Sequence, residues 1–194
     1  MKLRDRQSSV GQGGFTLIEL MITISIAAIL TVVAVPSFIA FQRNSELTAA
    51  ANSLLAATSA ARTEAMKRNL PAVIAPIGTG WTSGWRIFVD ADRSGVYNTG
   101  DILVGTRAAL PAYFSVVGTG TASGSTPFLR FDGSGFATLS TSAPPNTVSI
   151  ARTDVSGSAV FAQTRFLLLA PTGRARVCKP ASASDPQCGT SSSY

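Results

Sequence analysis

The chain contains no histidine. That absence removes the Ser-His-Asp triad, a histidine general base and every histidine-based metal site. Charge is sparse as well, at 13% of residues. The two closest acids, Asp90 and Asp92, are turn neighbours and do not face each other across a scissile bond. No catalytic constellation remains, so neither an enzyme nor a cofactor is expected. Only two cysteines occur, Cys178 and Cys188. Two thiolates without other soft ligands cannot complete a zinc site. On the oxidising side of a membrane they are expected to form a disulfide, whose short loop removes about 3 kcal/mol of unfolded-chain entropy. No internal repeat is evident.

What the chain does have is one long apolar run. From Phe15 to Val35 the only charge is Glu19, and Pro36 follows. Such a run suits one membrane-spanning helix, since ~20 apolar residues cross a ~30 Å hydrocarbon core. Lys2, Arg4 and Arg6 precede it against Asp5 alone, which keeps the N-terminal end cytoplasmic. A carboxylate inside an apolar span costs a few kcal/mol and calls for a function and a partner.

Gly14-Phe15-Thr16-Leu17-Ile18-Glu19-Leu20 resembles the class III signal of type IV pilins and type II secretion pseudopilins. The resemblance implies that a prepilin peptidase cuts between Gly14 and Phe15, and that the new N-terminal Phe15 is methylated. A secretory signal, by contrast, is cut after its apolar region. The leader, residues 1–14, would be lost and the apolar helix kept. Glu19 would then neutralise the Phe15 amine of its own or a neighbouring subunit during assembly, and Pro36 sits where the family kinks its helix. The plainer reading is an uncleaved signal anchor with an incidental Glu. Sixteen Lys and Arg against ten Asp and Glu give +6, and removal of the leader leaves thirteen against nine, or +4. Thirteen of the sixteen bases are arginine, which favours planar, bidentate anion recognition.

After Pro36 the residues Leu47, Ala50, Ala51, Leu54, Ala57, Thr58, Ala61 and Ala65 recur at spacings of three and four, marking one helix face. Lys67 and Arg68 complement the C-terminal dipole, and Asn69-Leu70-Pro71 stops the helix. One helix is therefore expected from about Phe15 to Arg68, roughly 80 Å long and bent near Pro36. Residues 15–35 are its membrane or pilus-core half, and residues 36–70 its amphipathic half. Residues 71–194 should form a β-rich periplasmic domain. Strands are expected near 73–77, 85–89, 102–105, 113–117, 128–131, 136–139, 148–151, 165–169 and 174–177, with loops at 118–125 and 140–146. Trp81 and Trp85 read as core. The fold class is α+β, a type IV pilin fold: a long N-terminal helix on antiparallel sheets.

The C-terminal part resembles the FimT/GspH-like minor pilins. Its matching pieces are Gly84-Trp85-Arg86-Ile87-Phe88-Val89-Asp90 followed by Asp101-Ile102-Leu103, then Phe131-Asp132-Gly133-Ser134-Gly135, then Gly173-Arg174-Ala175-Arg176. In FimT proteins a C-terminal GRxR motif binds DNA for uptake in natural transformation, and Gly173, Arg174 and Arg176 match it. In an extended segment the two arginines share a side, roughly 7 Å apart, able to grip neighbouring phosphates. Lys179 follows, the disulfide closes the segment, and residues 152–194 hold five bases including Arg152 and Arg165. No recognition helix or zinc module is visible, and Phe161 and Phe166 read as core. The expected partner is double-stranded DNA held by its backbone, independent of sequence. The resemblance adds major and other minor pilins, the prepilin peptidase and the inner membrane as partners, with an extracellular pilus as the destination. The alternative is a structural, GspH-like minor pseudopilin of a type II secretion pseudopilus. A solvated pair of arginines deterring edge pairing is the plainest account of the same motif.

One stretch stands apart. Asp90-Ala91-Asp92-Arg93-Ser94-Gly95, with Asn98 and Asp101, puts oxygen side chains at alternate positions, a glycine sixth and a carboxylate twelfth, as in a calcium loop. The twelfth residue is the shorter acid, Arg93 adds a positive charge, and β-runs flank the loop. A hairpin turn bonding its own backbone also accounts for it and is the reading adopted, with no metal.

Overall fold

The computed structural model describes residues 14–138 and 146–182, together with Asp185 and Cys188. Helix α1 spans Leu17–Arg68 and stays unbroken through Pro36. The chain divides into two compact units at Gln42/Arg43. In the first, the apolar residues of α1 lie exposed, among them Leu17, Ile24, Ile29 and Leu30. An 18-residue window of this helix has a mean hydropathy of 2.5, which makes it long and apolar enough to cross a membrane.

The second unit carries the rest of α1 and two four-stranded antiparallel sheets. Strands β1 (Ala72–Pro76), β2 (Trp85–Val89), β3 (Ile102–Arg107) and β5 (Leu129–Phe131) form the first, in the order β3-β2-β1-β5. Strands β4 (Phe114–Gly118), β6 (Asn146–Arg152), β7 (Thr164–Leu169) and β8 (Ala175–Cys178) form the second, in the order β4-β6-β7-β8. A one-turn helix α2 (Ala159–Ala162) precedes β7.

The helix stripe read from spacing is the buried face: Leu47, Ala50, Ala51, Leu54, Ala57, Thr58, Ala61 and Ala65 are all buried. With Trp85, Ile74, Leu129, Phe131, Ile150 and Leu169 of the two sheets, its leucines and alanines form one hydrophobic core. Trp81 and Trp85 are buried as expected, and the Trp81 indole N–H donates to the Ala122 carbonyl at 2.9 Å.

Two expectations fail in the β region. No strand forms over 136–138; Ala137 makes a single bridge to Phe131, and position 139 lies outside the described residues. Asp132 Oδ1 accepts from the N–H groups of Ser134 and Phe136, and the tight turn this makes sends Ala137 to the Pro171 carbonyl. Nor do Phe161 and Phe166 join the core. Both are only half-buried, and Phe166 pairs with Cys178 across β7 and β8. The expected loop at 140–146 falls mostly on residues outside the description, and Asn146 opens β6.

Candidate functional site

Strand β8 is the outer strand of its sheet, paired to β7 with Leu168 opposite Arg176 and Leu169 opposite Ala175. Ala175 and Val177 pack toward the core, so alternation directs Arg174 and Arg176 to the other face. Arg174, Arg176 and Lys179 are exposed. Arg176 takes a partner within the chain, whereas Arg174 and Lys179 carry no ion pair among the described residues. Cys178 and Cys188 are joined as a disulfide, with Cα atoms 5.5 Å apart.

The β7–β8 turn is held from three sides. Gly173 N–H donates to the Ala170 carbonyl and Ala170 N–H to the Arg174 carbonyl, both at 2.9 Å. Arg62 of α1 reaches across with Nε to the Gly135 carbonyl and Nη2 to the Thr172 carbonyl, each at 3.0 Å. Gly173 has φ of 77°, and a Cβ there would lie 2.0 Å from the Gly135 oxygen. The glycine of the motif is thus needed by the packing, and the turn at 132–135 meets the arginine turn through Arg62. Nothing near Arg62 in sequence signals this, because its partners lie 73 and 110 positions away.

The expected five-base segment shrinks to three exposed cations. Arg152 is buried and grips Asp154 with Nε and Nη2 at 2.8 and 2.6 Å, while Arg43 adds a third bond to Asp154. Arg152 holds the Asp154 carboxyl well below the usual carboxylate range and is itself pushed up. Arg165 is also buried. It donates to the carbonyls of Ala162 and Thr164 and to Asn44 and Thr48 of α1, and burial alone lowers its pKa.

At the N-terminal end, Glu19 Oε2 accepts from the N–H and hydroxyl of Thr16, and Thr16 Oγ1 accepts from the Glu19 N–H. This is a capping box, legible as Thr-x-x-Glu at 16–19. The expected contact with the Phe15 amine would require cleavage between Gly14 and Phe15. The two roles separate in Glu19→Gln, which retains an oxygen acceptor for the cap but loses the charge. That variant is expected to keep helix content and peptidase cleavage while incorporation into filaments falls at least tenfold, read by shearing and immunoblotting. Normal incorporation would rule out the charge role.

The 90–101 loop does bond its own backbone. Ser94 N–H donates to Asp92 Oδ1, Gly95 N–H to Asp90 Oδ2 and Gly100 N–H to Asn98 Oδ1. Burial raises the Asp90 pKa, and the Ser94 N–H lowers that of Asp92. Beside the loop, a groove of about 520 Å³ is lined by Val73, Arg86, Tyr97, Phe128 and Arg130 among others. Arg86 is committed within it, lying over the Tyr97 ring at 5.0 Å and donating to the Ile77 carbonyl.

Comparison with known proteins covers the same two regions. The prokaryotic N-terminal methylation motif matches residues 10–35, and the family model of the type II transport protein GspH matches residues 50–180. Among solved structures, the type IV minor pilin FimU of Pseudomonas aeruginosa PAO1 is similar in its P21 crystal form. The TM-score is 0.51 at 21% identity, over 76% of this chain and 98% of that one. Its P65 form gives 0.49 at 20% identity, over 73% and 98%. At such identity the likeness concerns the fold. No curated protein matches in sequence.

Proposed function

The chain belongs to the GspH family of type IV pilin-like minor pilins, and from that premise we propose that it is a minor type IV pilin that binds duplex DNA by its backbone during natural transformation. The observation that carries this reading is the exposure of Arg174, Arg176 and Lys179 at the outer strand of the second sheet, on a turn clamped by Arg62. A guanidinium held on a rigid turn loses little freedom when it meets a phosphate. The prepilin peptidase removes residues 1–14, Phe15 is methylated, and the apolar helix anchors the subunit in the inner membrane with its second unit in the periplasm. Packing against major and other minor pilins then carries it into an extracellular pilus.

The test is a titration of the full-length chain in neutral-lipid nanodiscs with DNA duplexes of unrelated sequence, across a salt series. Affinity should fall with salt by about 0.9 log units per decade for each phosphate neutralised. Arg174→Ala with Arg176→Ala should lower that slope by about 2 and weaken all duplexes alike. Its melting temperature should stay within a degree or so, because exposed charges contribute little to stability. Absence of binding by the native chain at low salt would overturn the DNA reading. It would favour a structural pseudopilin of a type II secretion system, a reading supported by the family's own description as a transport protein; the half-exposed Phe166 and the outer strand would then face neighbouring subunits.

A further inference from the structure

The loop between β2 and β3 gathers more oxygen than a turn needs. Asp90, directly after β2, Asp92, and Asp101, directly before β3, each place one carboxylate oxygen so that all three lie within 4.8 Å of one another. Asp90 is completely buried. Its Oδ2 accepts from the Gly95 N–H at 3.0 Å and faces Arg130 Nη2 at 3.7 Å. Its Oδ1 is buried and accepts no hydrogen bond. A buried carboxylate oxygen without a donor is expensive, because it has given up water and received nothing in return. Facing other carboxylates makes the position worse, unless a cation sits among them.

The remaining oxygens converge as well. The Asn98 Nδ2 group donates to Asp92 Oδ2 at 2.9 Å, Ser94 Oγ at 3.3 Å and the Val96 carbonyl at 3.4 Å. One positively polarised group thus stands where three oxygens from alternate positions meet. Counted from Asp90, these oxygens come from positions three, five and seven, with Asp101 twelfth. The sixth residue, Gly95, has φ of 77° and lets the loop turn inward.

We propose that this loop is a calcium site, with Asp90 Oδ1, Asp92 Oδ2, Ser94 Oγ, the Val96 carbonyl and a carboxylate oxygen of Asp101 as ligands, the ion taking over the position of the Asn98 amide donor. The donors are all oxygen, which selects a hard cation, and their irregular, carboxylate-rich arrangement suits calcium's six to eight ligands better than magnesium's strict octahedron. Asp101 reaches less far than a glutamate, and Arg130 stands close to Asp90. The affinity therefore belongs in the weak, extracellular class, roughly 10⁻⁴ to 10⁻³ M. Bound calcium would tie the end of β2 to the start of β3, independently of anything at the β7–β8 turn.

The experiment is equilibrium dialysis of the EGTA-stripped, full-length chain in detergent against calcium, beside Asp92→Asn and Ser94→Ala. Both positions are exposed, and circular dichroism checks that each variant is folded. The native chain should retain one calcium per chain, and Asp92→Asn should bind at least tenfold more weakly, with a smaller loss in Ser94→Ala, which removes only a hydroxyl. Equimolar magnesium should leave the calcium in place. No retention at free calcium several times the weak end of that range would overturn the site and leave a self-bonded turn. Equal retention by the native chain and both variants would place the ion elsewhere, and displacement by equimolar magnesium would overturn the choice of calcium.

Discussion

Gly173→Ala is expected to lower stability sharply and to take DNA binding with it, although it removes no charge. The new Cβ would stand 2.0 Å from the Gly135 carbonyl oxygen and 3.0 Å from Arg62 Nε. The neighbour it meets first is backbone, which cannot swing aside as a side chain would. The positive φ adds about 1–2 kcal/mol for any L residue, and overpacking a fitted contact adds about 1–3 kcal/mol. The turn would open, Arg62 would lose its two carbonyls, and Arg174 would lose its fixed direction. Thermal unfolding beside the duplex titration checks this. The Arg174/Arg176 double variant should bind duplexes more weakly at an unchanged melting temperature, whereas Gly173→Ala should lower both binding and melting temperature. A native melting temperature in Gly173→Ala would refute the packing account.

Asp154→Ala should also be destabilising, by about 1–3 kcal/mol, because it leaves the buried Arg152 guanidinium with Gln163 but without its carboxylate. The same pair sets the response to acid. The folded-state pKa of Asp154 lies below its unfolded value because Arg152 bonds the charged form. Its contribution is therefore complete above the ordinary carboxylate range and drains away as pH falls through that range toward the folded-state value. Urea unfolding at about pH 7 and about pH 3 should show a large loss for the native chain. The loss should be smaller for Asp154→Ala, which has already given up what acid removes. Equal acid losses in the two proteins would assign the acid limb to other carboxylates.

The helix was legible residue by residue, since burial on one face of a 3.6-residue period writes itself into the spacing of Leu47, Ala50, Leu54, Ala57 and Ala61. The strands, apart from the one expected at 136–139, were legible to within one or two residues because runs of β-branched and aromatic residues between turn signals mark them, as at Trp85–Val89. The arginines were harder. Arg152, Arg165 and Arg174 look alike in a sequence, and only tertiary contact separates two buried, satisfied cations from an exposed one. Gly173 was singled out as part of a binding motif, yet its conformation is required by Gly135 and Arg62, which are neighbours only after the sheets and helix close. Asp90 carries the same lesson: its place in a turn could be read, but its complete burial could not.

The Arg62 clamp has a mechanical consequence. Among the described residues, strand β8 is held to its sheet on one side, by β7, and a pull on the end of such a strand breaks its hydrogen bonds one at a time, like a zip. The turn bearing Arg174 is not left to that fate. Two guanidinium bonds run from its immediate surroundings, the Gly135 and Thr172 carbonyls, into α1, and the disulfide fastens the far end of β8. Tension applied at Arg174 is thus shared between the strand and the Arg62 side chain of α1, so contacts to two elements must give way before the turn comes free.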